Sequence, residues 1–226
     1  MMKYSLFLEA ESFRELGGWV IDPAAMGQMG SAYLMAHGAG VPVADAATAI
    51  ELAGTAEYHI WARTRDWTAV WKRGTPAGRF TLKIDGVELP SVLGVNGEAW
   101  AWQKAGSLVL AAGEHRVALH DLTGFNGRCD AIYFSTDPDD VPPDGGTELE
   151  VFRREKSGNS VADDPDVYDL IVAGGGVAGC VTALAAARLG LKSLLIQDRS
   201  VPGGCNSSEI RVPLGGATHI GRYPNI

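Results

Sequence analysis

The segment that most restricts how this chain can fold is a glycine turn set between two kinds of apolar run. VYDLIVAGGG, residues 167–176, reads as a buried strand entering the turn, and VAGCVTALAAARLG, residues 177–190, reads as a helix closing at Gly190. LKSLLIQD, residues 191–198, reads as a second buried strand. Continuous apolar strands flanking a helix suit a parallel sheet, whose strands are covered on both faces. The turn has the spacing Gly174-x-Gly176-x-x-Gly179. In such a turn the first glycine permits the tight exit from the strand. The second lets a diphosphate approach bare backbone, and the third lets helix and strand pack closely. The helix start, including Val177 and Ala178, offers free N–H groups and partial positive charge to that diphosphate. A glycine-rich turn with no ligand is the competing reading, and the flanking strands weigh against it.

About 20 residues beyond such glycines, an acid usually meets ribose hydroxyls. This chain has Gln197 and then Asp198. Spacing favours Gln197, whose amide still accepts a hydroxyl hydrogen bond; Asp198 takes the role if the strand runs one residue further. Arg199 and the pair Gly203-Gly204 follow, and then Ser207, Ser208 and Glu209, which either reach toward the cofactor or cap local turns.

The text before residue 138 is different. YSLFLEA, EYHIWART, GRFTLKIDG, SLVLAA, HRVALHDL and DAIYFST are short strand-like runs. Several alternate apolar and polar residues at period two, and Asp85-Gly86, Asn96-Gly97 and Ala112-Gly113 punctuate them. Many short strands without amphipathic helices predict an all-β, jelly-roll-like sandwich. Residues 138–165 are rich in Pro, Asp, Gly and Ser and read as a linker, with a short strand expected at Leu149–Arg153. The expected organisation is multidomain: a sandwich over 1–137, a linker over 138–165, and an incomplete α/β Rossmann unit (βαβ) over 166–226.

Net charge is −8, with no basic run, which argues against nucleic acid or an anionic membrane as partner. No apolar window is long enough to span a bilayer. MMKYSLFLEAESF lacks the apolar core and cleavage site of a signal peptide. The expectation is a cytoplasmic protein as written, or a periplasmic or secreted one if the N-terminus is truncated. Cys129, Cys180 and Cys205 lie far apart without a CxxC pair, so no zinc or iron–sulfur framework is visible. Oligomeric state is left open.

Taken together, DLIVAGGGVAGCVTALAAARLGLKSLLIQDRSVPGGCNSSEIRVPLGGA resembles FAD-binding flavoproteins of the glutathione-reductase-like and succinate-dehydrogenase-like kind. More closely, it resembles the FAD-dependent oxidoreductase family found beside bacterial polysaccharide-degrading enzymes. The resemblance covers about 60 residues and implies FAD held by Gly174, Gly176, Gly179, Gln197 or Asp198, Arg199 and Gly204, with Gly203 in the same loop. Broader relatives, similar to the heterodisulfide reductases, carry iron–sulfur clusters, which the cysteines here do not support. A full FAD domain needs more strands than this stretch supplies. The 226 residues are therefore expected to be a fragment that does not retain FAD alone.

Residues 4–137, with LEAESF, GGW, TRDW, WAWQKAG and LHDLTGFNGRCDAIYFSTD, resemble carbohydrate-binding modules of families 6 and 35. That resemblance implies a structural calcium held by Glu9, Glu11 and Asp130, hard oxygen ligands that suit the ion. The alternative is a solvated acidic face. All six tryptophans lie here. Trp67 and Trp71, in RDWTAVWKRGTPAG, read as loop residues able to stack on sugar rings. Packing in the sandwich is the other reading for the tryptophans, with Arg63, Arg65, Asp66, His120 and Asp121 as a polar network near them. Three functions follow: an oxidoreductase acting on a sugar-derived or other small hydroxylated substrate, a carbohydrate-binding module beside a Rossmann remnant, or a sandwich that only docks a flavin domain.

Overall fold

The computed structural model describes residues 3–71, 74–157, 164–197, 199, 201–207 and 212. The chain divides into two compact units, Met1–Ala162 and Asp163–Ile226.

The first unit is a sandwich of two antiparallel sheets. One contains β1 (Ser5–Glu9), β2 (Trp19–Asp22), β3 (Tyr33–His37), β5 (Ala56–Thr64), β8 (Ala101–Leu110) and β10 (Phe125–Ser135). The other contains β4 (Ala46–Leu52), β6 (Phe80–Ile84), β7 (Val87–Glu88) and β9 (Gly113–Asp121), in the order β4-β9-β6-β7. Period-two alternation places Phe80, Leu82, Ile84, Val117 and Leu119 of the second sheet against Trp19, Leu34, Ile60, Ile132 and Phe134 of the first. The Asp85-Gly86 turn joins β6 to β7 with both residues at positive φ, +50° and +81°, the geometry whose twist matches a hairpin.

β10 organises the larger sheet. Along one edge it pairs with β5; along the other, Phe125–Cys129 pair with β3 and Ala131–Ser135 pair with β1. Every residue from Cys129 to Ser135 is buried. Ile132 and Phe134 enter the intersheet core, while Ala131 and Tyr133 point the other way, into a cluster with Phe7, Trp102 and Leu149.

Leu149 belongs to a helix, α2 (Gly146–Lys156), which corrects the strand expected at Leu149–Arg153. Leu149 and Val151 mimic strand alternation, but Leu149, Phe152, Arg153 and Lys156 recur at helical spacing and form the docking face. The stretch before α2 is also fastened. The Trp102 backbone N–H donates to the Asp144 carboxylate at 2.7 Å, and its indole N–H donates to the Pro143 carbonyl at 3.0 Å. Residues 138–157 are thus part of the sandwich unit rather than a free tether. A further short helix, α1 (Met26–Met29), is a single turn between β2 and β3.

The second unit contains β11 (Leu170–Ala173), α3 (Val177–Arg188) and β12 (Ser193–Ile196), with β11 and β12 parallel and in register from Leu170↔Ser193 to Ala173↔Ile196. Gly190, at φ +82°, closes α3 where the sequence placed its end. The packing face of α3 is made of small residues. Gly179, Ala183 and Ala186 recur at helical spacing and Ala186 is buried, whereas Val181, Leu184 and Leu189 are 59, 50 and 80 % exposed. Close approach at Gly179 leaves room only for small side chains along that stripe.

Candidate functional site

The turn from β11 into α3 is built from glycines with separable tasks. Gly174 has φ +103°, which side chains of L-residues rarely tolerate, and its N–H donates to the Ile196 carbonyl at 2.8 Å. A Cβ on Gly179 would lie 1.9 Å from the Gly174 carbonyl oxygen, so the fold itself forbids a side chain there. Gly176 is the N-cap of α3, with φ −66° and ψ 177° that any residue adopts. Among the described residues, a Cβ on it would meet nothing within 4 Å. Neither backbone conformation nor packing demands glycine at 176. Val177 and Ala178 continue the first helical turn, whose N–H groups face the end that Gly176 leaves uncapped.

Two further segments close on this turn. The Gln197 carboxamide oxygen accepts the Gly175 N–H at 2.8 Å, and its amide donates to the Val201 carbonyl at 3.4 Å. Gln197 therefore ties the end of β12 to the glycine turn, a contact that spacing alone does not reveal. The loop carrying Gly203 and Gly204 returns alongside: the Gly203 N–H donates to the Gly175 carbonyl at 2.7 Å. Gly203 and Gly204 have φ +112° and +58°, and a Cβ on Gly204 would lie 3.4 Å from the Gly176 Cα. Arg199 is exposed. Asp198, Ser208 and Glu209 lie outside the described residues. The Cys180 thiol donates to the Gly175 carbonyl at 3.1 Å, and Cys129, Cys180 and Cys205 are all free.

In the sandwich, Glu9, Glu11 and Asp130 converge, by a different route from the one expected. β1 ends at Glu9, and Glu11 lies in a short 3-10 turn, Ala10–Ser12, not on a strand face. Asp130 is the extra residue of a β-bulge, between Cys129↔Thr64 and Ala131↔Arg63, which re-aims its side chain. Two guanidiniums meet these acids. Arg63 Nη1 donates to Asp130 Oδ2 at 2.8 Å. Arg153 donates from Nη1 to Asp130 Oδ2 at 3.1 Å and from Nη2 to Glu9 Oε2 at 2.5 Å. Burial pushes the Glu9 and Asp130 carboxyls above their usual range against the pull of these arginines. Burial and the neighbouring Glu9 charge push Glu11 up to about 8. Among the described residues, no group of three His, Cys, Asp or Glu is arranged to hold a metal ion. Arg153 stands between Glu9 and Asp130, bonded to both, where the resemblance implies calcium.

The tryptophans divide. Trp19 and Trp102 are buried packing residues, and Trp100 is buried against Tyr33, with Arg63 and Arg65 both near its ring. Trp67 is held in place, its ring stacked on Phe125 at 5.6 Å, its N–H donating to the Phe125 carbonyl and Arg128 5.0 Å from its centroid. Trp71 meets the Trp67 ring edge-on at 5.5 Å and is 74 % exposed. Asp121 and Asp66 organise loops, accepting the N–H groups of Val43 and Gly124 and of Thr68, and His120 bonds Asp45 at 2.7 Å.

A strand, a glycine turn and an open helix start, followed by a parallel strand, define a βαβ unit of the dinucleotide-binding class. Residues 169–222 match the family described as FAD dependent oxidoreductase. No curated protein matches the chain. Solved structures similar to the sandwich include the C-terminal CBM6 of LamC from Zobellia galactanivorans, 17 % identical, covering 58 % of this chain and 98 % of that one, with a TM-score of 0.44. A family 35 carbohydrate binding module from Clostridium thermocellum is also 17 % identical, with coverages of 57 and 96 % and a TM-score of 0.45. CBM35 from Paenibacillus barcinonensis is 16 % identical, with coverages of 58 and 98 % and a TM-score of 0.43.

Proposed function

We propose that this chain supplies the diphosphate-binding end of an FAD site in an FAD-dependent oxidoreductase acting on a sugar-derived or other small hydroxylated molecule. Gly176 carries the reading. Its backbone is unstrained and its Cβ position is empty, so the absence of a side chain serves something outside the fold. A diphosphate lying against bare backbone at a helix start is such a requirement. Gly174 sets the turn, Gly179 holds α3 close, and Gln197 fixes the loop through the Gly175 N–H. Gly203, Gly204 and Arg199 flank the same place, and Asp198 is assigned to the adenosine ribose with Gln197. FAD, when bound, accepts the hydride, and the protein binds and orients. The substrate class rests on the resemblance to flavoproteins found beside polysaccharide-degrading enzymes.

The residues named hold only the diphosphate and adenosine end, so the 226-residue chain alone is expected to be inactive and to lose FAD on gel filtration. The test is therefore an NMR titration of the chain with ADP. Wild type should show shifts centred on the amides of 174–179. Gly176→Ala should melt at the same temperature and bind about tenfold or more weakly. Equal binding by both, or no shifts at 174–179 in wild type, would overturn the assignment.

A second reading has its own observation. Trp71 presents an exposed indole on a loop braced by Trp67, a surface suited to stacking on a sugar ring. Glycan-array binding by the chain that disappears in Trp71→Ala, with melting unchanged, would support a carbohydrate partner for the sandwich. Identical arrays for both proteins would remove it.

A further inference from the structure

We propose that Arg153 is a built-in cation: its guanidinium takes the place of a metal ion among Glu9, Glu11 and Asp130, and in doing so clasps α2 to the sandwich. Asp130 is fully buried, with one carboxylate oxygen bonded to both Arg63 and Arg153. Arg153 reaches across to Glu9, at the end of β1, and to the Ser31 hydroxyl, just before β3, at 2.5 Å. One side chain from α2 thus joins three segments far apart in sequence. The guanidinium suits this work because it is planar, permanently charged and forked, and so bridges two carboxylates where an ammonium would act as a point charge.

Two guanidiniums, Arg63 and Arg153, face these acids. A divalent ion would compete with Arg153 for the oxygens of Glu9 and Asp130. The apolar partners of α2 lie on the same helical face: Leu149 and Phe152 enter the cluster with Phe7, Trp102 and Tyr133. Phe7 also lies 5.7 Å from the Arg153 guanidinium. The clasp is therefore ionic at its centre and greasy at its flank.

One pair of atoms keeps the proposal open to refutation. Asp130 Oδ1 and Glu11 Oε2 are buried without a hydrogen-bond partner, and a calcium ion would draw on such oxygens. The experiment is thermal unfolding of the full chain in EGTA and in about 10 mM calcium chloride, roughly tenfold above the weakest affinities usual for extracellular calcium modules. The same midpoint in both buffers is expected. A calcium-dependent rise would show that the ion, not Arg153, completes the site.

The second arm is Arg153→Met, which leaves buried carboxylates uncompensated. Its unfolding equilibrium should shift toward the unfolded state by on the order of a hundredfold or more. Chymotrypsin should cut it at Phe152 while wild type is protected. A variant as stable and as protected as wild type would overturn the proposal. Should Arg153→Met fail to fold, the comparison of the two buffers on wild type still decides.

Discussion

Replacing Glu11 with glutamine should stabilise the sandwich, and the gain should grow as pH rises. Burial, helped by the Glu9 charge, lifts the Glu11 carboxyl to about 8 from an ordinary 4.5. Between those values the native state holds a proton that the unfolded chain has released, so stability falls as pH rises through that window. Below about 4.5 the side chain is neutral in both states and the penalty vanishes; above about 8 it reaches its full size. At 1.36 kcal/mol per unit, the gap of about 2.5 units at pH 7 costs roughly 3 kcal/mol, and the full gap roughly 5. Glutamine is neutral at every pH and nearly isosteric, so Glu11→Gln should recover most of this. Urea unfolding followed by tryptophan fluorescence reads the sandwich directly, since all six tryptophans lie in it. Measured near pH 4.5, 7 and 8.5, the variant should match wild type at the acid end and exceed it increasingly toward the alkaline end. A variant less stable than wild type at pH 8.5, or a difference that grows toward acid pH, would refute the reasoning. The former result is what a carboxylate gripping a cation would give, since its stabilisation is present at alkaline pH and lost toward acid.

Gly179→Ala should disrupt the second unit, because its Cβ would sit 1.9 Å from the Gly174 carbonyl oxygen; loss of dispersed amide signals from residues 170–196 by NMR checks it. Gln197→Ala removes the acceptor of the buried Gly175 N–H, at a cost of about 1–3 kcal/mol, and hydrogen exchange at Gly175 should accelerate accordingly. Phe80→Ala deletes a fully buried ring packed edge-on to Trp19 at 5.6 Å and should cost about 3–5 kcal/mol in urea unfolding, with altered native fluorescence.

What the sequence reveals depends on whether a pattern is local. Phe80, Leu82 and Ile84 announce a half-buried strand because one face meets the core, and Gly174 and Gly179 announce a turn because their constraints lie within it. β3 carries no such signal: Tyr33, Leu34, Met35 and Ala36 are all buried, so period two is erased. α2 was hidden by its setting, since Pro, Asp and Gly before it mask a helix whose apolar face is only Leu149 and Phe152. The convergence of Glu9, Glu11 and Asp130 depends on a 3-10 turn and a bulge, which shift residues off the register that spacing assumes. Arg153 belongs to no motif, and only the docking of α2 brings its charge to those acids. Gln197 was legible as a position; its hydrogen bond to Gly175 was not.

The central strand has a consequence for biosynthesis. Because Ser5 pairs with Ser135, β1 must wait during synthesis for a strand far downstream, β10, before it acquires its neighbour. Until then it is an unpaired edge, and the acids at its end lack the arginine that α2 brings later still. Topologies with such distant pairings fold slowly and stay vulnerable to aggregation meanwhile. Truncations ending before residue 157 should therefore yield insoluble product in cells, since they remove residues of α2 that meet β1.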